Sequence, residues 1–421
     1  MLYKIRSSVL FKNTFVYMMT VLINKAVPFL LLPVLTVYLS PEDYGTAATY
    51  MAYIGLLGVA VHLNMTGAVN VNFFRFSTKE ELRVYVFNVL LIVSVAASLL
   101  FVLLLFAGDW FGSIIGLPVV WLYVGLAAVV AQFFTMLNLG LWQVQQKAKQ
   151  YGIYQIALTL ATVSMVLLLV VVYGLKWQGQ LAGQAVAAIV FAFISLAVIV
   201  RRGFLTLQIE PEYIKDALKF GIPLIPHALS GWFRTGVDRF FLTAILGSAA
   251  TGIYAVGYQF GMIIGIAAMA FNQAFSPYLY RKLKTINEAQ KLQLVKLTYL
   301  SFAAFLLLAA IITFGAPWVI ARFLDARYAS AAEVVPWVAF GYAFQGMYFM
   351  VVNYIFYLKK TYILAAVTFF SGLLHVVISY MLIHSNGEIG ASQATTISFF
   401  IMFVMVWILS ARLYKMPWGL K

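Results

Sequence analysis

Residues 220–246 read FGIPLIPHALSGWFRTGVDRFFLTAIL, and the fold turns on how this stretch is interpreted. It is long enough to cross a bilayer, for which about 20 apolar residues suffice. Yet it carries His227, Arg234, Asp238 and Arg239, together with Pro223 and Pro226. An ionised side chain at the centre of a spanning helix costs roughly 2.5–3.5 kcal/mol on insertion scales, so three in one helix require partners or water. Such a helix reads as a working element of a membrane protein rather than as an anchor.

The remainder of the chain supports that reading. Hydrophobic residues make up 64% of its 421 residues and charged residues 10%, a balance foreign to a water-soluble globule. Cysteine is absent, which excludes a disulfide framework and a thiolate metal site. The opening MLYKIRSSVLFK is basic like the start of a signal peptide. The apolar run behind it, however, is about 25 residues rather than 7–15, and no small-residue cleavage site follows, so a retained first span is expected. Apolar windows predict an all-α integral membrane protein of twelve spans, at 13–39, 45–75, 82–106, 119–144, 152–173, 180–200, 217–247, 252–279, 293–315, 331–357, 362–383 and 390–412.

The net charge of +15 is explained by topology. With the start placed in the cytoplasm, most of the 28 Lys and Arg fall on the cytoplasmic side or at its helix ends, among them Arg75, Lys147, Lys149, Arg201, Lys282 and Lys360. Lys176, Arg322 and Arg327 fall outside. Both termini are therefore expected in the cytoplasm, with the basic excess contacting anionic headgroups of membrane lipids and no nucleic-acid partner. The longest loop, Arg201 to Asp216, separates an amino-terminal lobe of six spans (1–205) from a carboxy-terminal one (206–421). The external segments 108–118 and 317–331 are short, which leaves no room for a soluble catalytic domain. 

The halves repeat at a constant offset. Lys12 matches Lys219, Leu39 matches Leu246, Gly45 matches Gly252, Gly58 matches Gly265 and Arg75 matches Lys282. Six spans per half is an even number, so the lobes are expected to be related by a pseudo-two-fold axis along the membrane normal, with a cleft between them.

Three basic residues belong to neither surface: Lys25, Arg234 and Arg239. Lys25 lies mid-span in the first span and Arg234 mid-span in the seventh, two residues from the strict repeat position Trp232, a depth difference of about 3 Å. Both are expected to line the central cleft. The alternative for Arg234 is pairing with Asp238, four residues on along the same face. The alternative for Lys25 is snorkelling, which reaches about 6 Å where about 15 Å is needed. Even with Asp238 neutralising one arginine, positive charge is left over and the cavity prefers an anion.

Polar side chains in the second and eighth spans, Asn64, Asn272 and Gln273 among them, suit sugar hydroxyls, and equally suit hydrogen bonding between helices. His62, His227 and His375 could titrate and relay protons, although a neutral, hydrogen-bonded structural role is the better reading of any one of them; Asp238 is a candidate for ion coupling or charge pairing. Prolines 28, 33, 223 and 226 interrupt the backbone ladder in equivalent helices and are expected to let them bend. There is no phosphate-binding loop, HExxH or nucleophile elbow, so no catalytic residue, bound metal or cofactor is expected, and transport driven by ATP is not.

Two stretches carry a family resemblance. LFKNTFVYMMTVLINKAVPFLLLPVLTVYLSPEDYGTAATY (10–50), with its LSPEDYG turn, and LKFGIPLIPHALSGWFRTGVDRFFLTAILGSAATGIYAVGYQFG (218–261), continuing into FNQAFSPYLYRKL (271–283), resemble Wzx-type polysaccharide and O-antigen flippases of the multidrug/oligosaccharidyl-lipid/polysaccharide exporter superfamily. The resemblance implies a MATE-like pair of six-helix lobes around a cationic cavity, to which Lys25, Arg234 and Arg239 correspond by position. It implies as substrate an undecaprenyl-pyrophosphate-linked oligosaccharide, flipped across the bacterial inner membrane and coupled to a proton or sodium gradient. A polysaccharide polymerase and chain-length proteins are the implied partners. Two other readings remain: an ion-coupled exporter of small molecules on the same fold, and a membrane-embedded polysaccharide polymerase. The first would want a carboxylate within the amino-terminal spans, where none occurs; the second would want a larger external loop.

Overall fold

A computed structural model describes residues 9–419, apart from the side chains of 9–15, 18, 21, 25 and 361. Lys25 is therefore placed only through its backbone, and its side chain lies outside the described residues. No strand occurs among the described residues. The helices are α1 (Val9–Tyr38), α2 (Pro41–His62), α3 (Met65–Asn72), α4 (Lys79–Ile115), α5 (Val119–Val144), α6 (Ala148–Leu167, prolonged by a wider turn Leu168–Val172) and α7 (Lys176–Arg201). There follow α8 (Pro211–Gly221), α9 (Ile225–Thr235), α10 (Val237–Leu246), α11 (Ser248–Leu283), α12 (Glu288–Phe323), α13 (Ala331–Tyr357) and α14 (Thr361–Leu413).

Among the described residues 9 helices are long and apolar enough to cross a membrane. They fall in register with the predicted spans once three features are noted. α14 is two helices joined at Gly387, whose φ of 60° and ψ of −139° break the ladder. α1 adds an apolar stretch over Leu22–Tyr38, and the interrupted run α8 to α10 occupies the seventh predicted span.

The helices outrun the apolar windows. α4 has 37 residues, about 55 Å of helix, against a predicted span of 82–106. It starts at a reciprocal cap, in which Thr78 Oγ1 accepts from the Glu81 amide and the Glu81 carboxylate accepts from the Thr78 amide. It ends at Gly116, φ 68°, with the Leu117 amide returning to the Gly112 carbonyl at 2.9 Å. The segment 108–118, expected as a loop, is thus mostly helix, and so is 317–323 at the end of α12. A hydropathy window marks only the part in hydrocarbon, whereas backbone hydrogen bonding continues until a cap stops it.

The chain divides into two compact units, one of Met1–Leu31 and Thr46–Leu229, the other of Leu32–Gly45 and Ser230–Lys421. In the first, α7 packs against α5 and α6. The second predicted span breaks there at Leu63 and Asn64, both with positive φ, which separates α2 from α3. Against this break lies α8: a methyl on Gly221 would sit 2.2 Å from the Leu63 carbonyl oxygen. Asp216 of α8 accepts from Asn72 at 3.0 Å and from the Tyr85 hydroxyl at 2.8 Å.

In the second unit α13 is the hub, packed on α11, α12 and α14. Gly257, Gly261 and Gly265 form a stripe along α11 that receives Val334, Val338 and Tyr342 of α13 in order. Small residues at four-residue spacing let two helices approach without side chains between them, which in a bilayer replaces the missing hydrophobic drive. The start of α2 meets the start of α11 in the same manner. A methyl on Gly45 would fall 1.7 Å from the Ser248 oxygen, and one on Gly252 2.0 Å from the Pro41 oxygen. Gly45 with Gly252, and Pro41 with Ser248, are partners under the sequence repeat, so the contact is reciprocal.

Candidate functional site

The site is built on the interrupted run α8 to α10, which contains residues 220–246. Pro223 lacks an amide hydrogen and the backbone tightens to a 3-10 turn at Ile222–Leu224 before α9 begins. A second break follows at Gly236, between α9 and α10. A methyl there would come within 2.5 Å of the Trp232 indole nitrogen, so the indole packs where only glycine leaves room.

This second break decides where the charges go. Arg234 and Asp238 straddle it, and the four-residue register of the alternative reading, which would pair them, does not run through. Arg234 instead donates from Nη1 to the Thr368 carbonyl of α14 at 3.0 Å. Asp238, in the first turn of α10, is wholly buried. Its Oδ1 lies 3.0 Å from His375 Nε2 and accepts from Ser379 Oγ at 2.5 Å; its Oδ2 accepts from the Tyr254 hydroxyl at 2.7 Å and from Thr395 at 3.4 Å. His375 Nδ1 lies 3.0 Å from Ser398 Oγ. With every neighbour of the carboxylate a donor, the imidazole tautomer that suits it carries a proton on Nε2.

Arg239 is held differently again. Its own amide bonds to the Gly236 carbonyl, which takes the Thr235 carbonyl's usual helical partner away. The Arg239 guanidinium supplies the missing donor to Thr235. Its face lies 4.9 Å from the Tyr258 ring centre and 5.7 Å from that of Tyr254, and Tyr258 shares a hydroxyl hydrogen bond of 2.7 Å with Tyr342. Aromatic faces stabilise a cation without neutralising it. Among the described residues no carboxylate comes within ion-pair distance of Arg234 or Arg239, and Asp238 is taken up by its hydrogen bond with His375.

The other expected residues scatter. His62 puts Nε2 2.9 Å from the Val129 carbonyl and its ring against Phe133, which is the structural alternative. Asn64 sits at the α2–α3 break, half-buried. His227 is exposed in the first turn of α9. Asn272 accepts from Asn353 Nδ2 at 2.8 Å and so joins α11 to α13, again the helix-to-helix alternative, while neighbouring Gln273 is exposed. The structure adds Ser379, Ser398, Tyr254 and Tyr258 to the site. One signal for it lay in the sequence: Thr368, Ser371, His375 and Ser379 recur every three or four residues in an otherwise apolar span, and all are buried.

Comparisons with known proteins agree with this architecture. The chain is similar to the Lsg locus putative protein 1 of Haemophilus influenzae, 27% identical over 389 residues, covering 87% of this chain and 89% of that protein. It is also 27% identical to an uncharacterized membrane protein of the same organism over 285 residues, 65% of this chain and 66% of that protein. Among solved structures it resembles the lipid II flippase MurJ in an inward closed conformation, with a TM-score of 0.72 at 14% identity over 96% of this chain and 88% of that one. It resembles an inward-facing MATE multidrug resistance transporter of the MOP superfamily with a TM-score of 0.69, at 14% identity over 92% of this chain and 94% of that one. These likenesses establish the MATE-like helical fold. The family model described as polysaccharide biosynthesis protein matches residues 10–283, more than half of the length, and the chain belongs to that family.

Proposed function

We propose that this protein is a flippase that carries undecaprenyl-pyrophosphate-linked oligosaccharide units across the bacterial inner membrane, by alternating access, for assembly of a surface polysaccharide. The observation that carries the proposal is the pair of arginines at the second break of the seventh span. Arg234 and Arg239 are satisfied by backbone carbonyls and aromatic faces, and Asp238 is committed to His375, so their positive charge stays available within the membrane. A diphosphate is the dense anion for which a planar guanidinium offers a fork of donors. Lys25 adds a third charge at similar depth on the sequence repeat. A membrane carrier of this kind, with both termini in the cytoplasm by its basic loops, makes and breaks no covalent bond.

A proton or sodium gradient drives the cycle in this reading, and Asp238 with His375 is the place at which it couples: a buried carboxylate ringed by movable hydroxyl donors exchanges a cation at modest structural cost. Family membership in polysaccharide biosynthesis supports the substrate class. A small-molecule cation exporter would place surplus negative charge in the membrane, the opposite of what the seventh span carries. The decisive assay is translocation of a lipid-linked oligosaccharide in reconstituted vesicles. Failure to move any such lipid from the native pathway, with the protein folded, overturns the proposal.

A further inference from the structure

The first unit contains a groove between α1 and α6. α1 and α6 run side by side: the Tyr17 and Tyr151 rings meet edge to face at 5.0 Å, Thr159 donates to Asn24 at 2.6 Å, and a methyl on Gly152 would lie 3.1 Å from Val16. Where the helices part they leave a groove of about 650 Å³. Its walls are apolar, with Met19 and Ile23 from α1 and Ile153 and Ile156 from α6. Its far end is polar and basic, formed by exposed Lys147 and Lys149 with glutamines beside them. Lys147 precedes the first turn of α6 and gives it no side-chain acceptor, so the positive end of the helix dipole adds to the two ammonium groups.

We infer that this groove docks the polyisoprenyl diphosphate end of a carrier lipid, its chain along the apolar walls and its diphosphate at Lys147 and Lys149. The inference rests on the transport reading above and adds a loading site to it. The described walls are apolar and end on basic groups, the order in which a polyisoprenyl diphosphate presents its chain and its charge. Two lysines and a helix amino end match a diphosphate better than a singly charged phosphodiester. The basic end lies on the face that the loop charges assign to the cytoplasm, the leaflet from which a lipid made inside the cell is collected.

The test uses the full-length protein in phosphatidylcholine nanodiscs and a long-chain polyisoprenyl diphosphate bearing a photoreactive group in its chain. Adducts are expected on α1 and α6 peptides around Met19, Ile23, Ile153 and Ile156. Unlabelled polyisoprenyl diphosphate should suppress them and phosphatidylglycerol should not. Lys147→Gln with Lys149→Gln should reduce labelling by about tenfold or more, and Lys147→Arg with Lys149→Arg should retain it. Labelling only elsewhere, equal suppression by phosphatidylglycerol, or undiminished labelling of the glutamine variant would overturn the inference. Translocation is measured on the same preparations. Labelled wild-type protein that moves no lipid-linked saccharide sinks the transport reading and leaves the groove standing; active protein with an unlabelled groove sinks the groove alone.

Discussion

Asp238 Oδ1 and His375 Nε2 stand 3.0 Å apart, and neither side chain has any exposed surface. The pair joins α10 to the first half of α14, and Ser398 carries the chain of contacts into the second half. Asp238→Asn keeps the shape but turns an amide donor toward hydroxyl donors. Leaving one buried donor without an acceptor costs about 1–3 kcal/mol. The expected outcome is a fall of a few degrees in the unfolding midpoint of the purified protein, together with loss of polymer export. His375→Gln, which still donates, should lower the midpoint less while impairing export as much; equal export by wild type and His375→Gln would remove His375 from the coupling site.

Arg234→Ala and Lys25→Ala should each abolish export in a complementation assay while the amount of protein in the membrane, read by immunoblot, stays unchanged. Arg234→Lys retains the charge but loses the fork of donors and should export at an intermediate rate. Normal export by both alanine variants would refute the cationic site.

Asp216 ties α8 to Asn72 and Tyr85 within the first unit. Asp216→Ala deprives both donors of their shared acceptor, a cost of about 1–3 kcal/mol. Protease cleavage in the 201–216 segment should become markedly faster, and Tyr85→Phe should reproduce part of the effect.

Gly261 lies opposite Val338, and a methyl on it would be 2.5 Å from the valine. Gly261→Leu is expected to overpack the α11–α13 seam by about 1–3 kcal/mol or more and to lower the amount of folded protein recovered in detergent. Gly315, which has open space around it, serves as the control: Gly315→Ala should be neutral.

Between α12 and α13, the Arg327 guanidinium beside Asp325 holds its carboxyl below the usual carboxylate range. Arg327 also donates to the Thr36 and Val37 carbonyls at the end of α1. A depressed carboxyl contributes stability above its unfolded value, near 4, and loses it only as pH falls through the lower folded value. Proteolysis of the 324–330 segment should therefore be the same at pH 7 and about pH 5 and rise only below about pH 4, whereas Arg327→Gln should be cleaved faster throughout.

The helical membrane-protein fold and the odd polarity of the seventh predicted span were legible because each is a property of composition along one segment. The partners of Asp238 were not. A window that finds 362–383 and 390–412 apolar does not say which face of either helix meets α10, and the break at Gly236 cancels the register on which the alternative Arg234–Asp238 pairing depends. Asn272 and His62 illustrate the same limit: amides and imidazoles in spans serve ligands and neighbouring helices through identical chemistry, and the sequence does not say that Asn353 or the Val129 carbonyl lies within reach. The helix ends were misjudged for another reason, since caps such as Thr78 with Glu81 act beyond the hydrocarbon.

The reciprocal meeting of Gly45 and Gly252 bears on the history of the chain. If the two halves descend from one ancestral segment, that segment formed this contact with a second copy of itself, and a single glycine served both sides. The two positions are separate genetic sites under one shared steric demand, because each methyl would strike a main-chain oxygen that no rotamer change can move. Neither glycine can be rescued by altering its counterpart, so both should resist drift even as the charges of the two halves diverge.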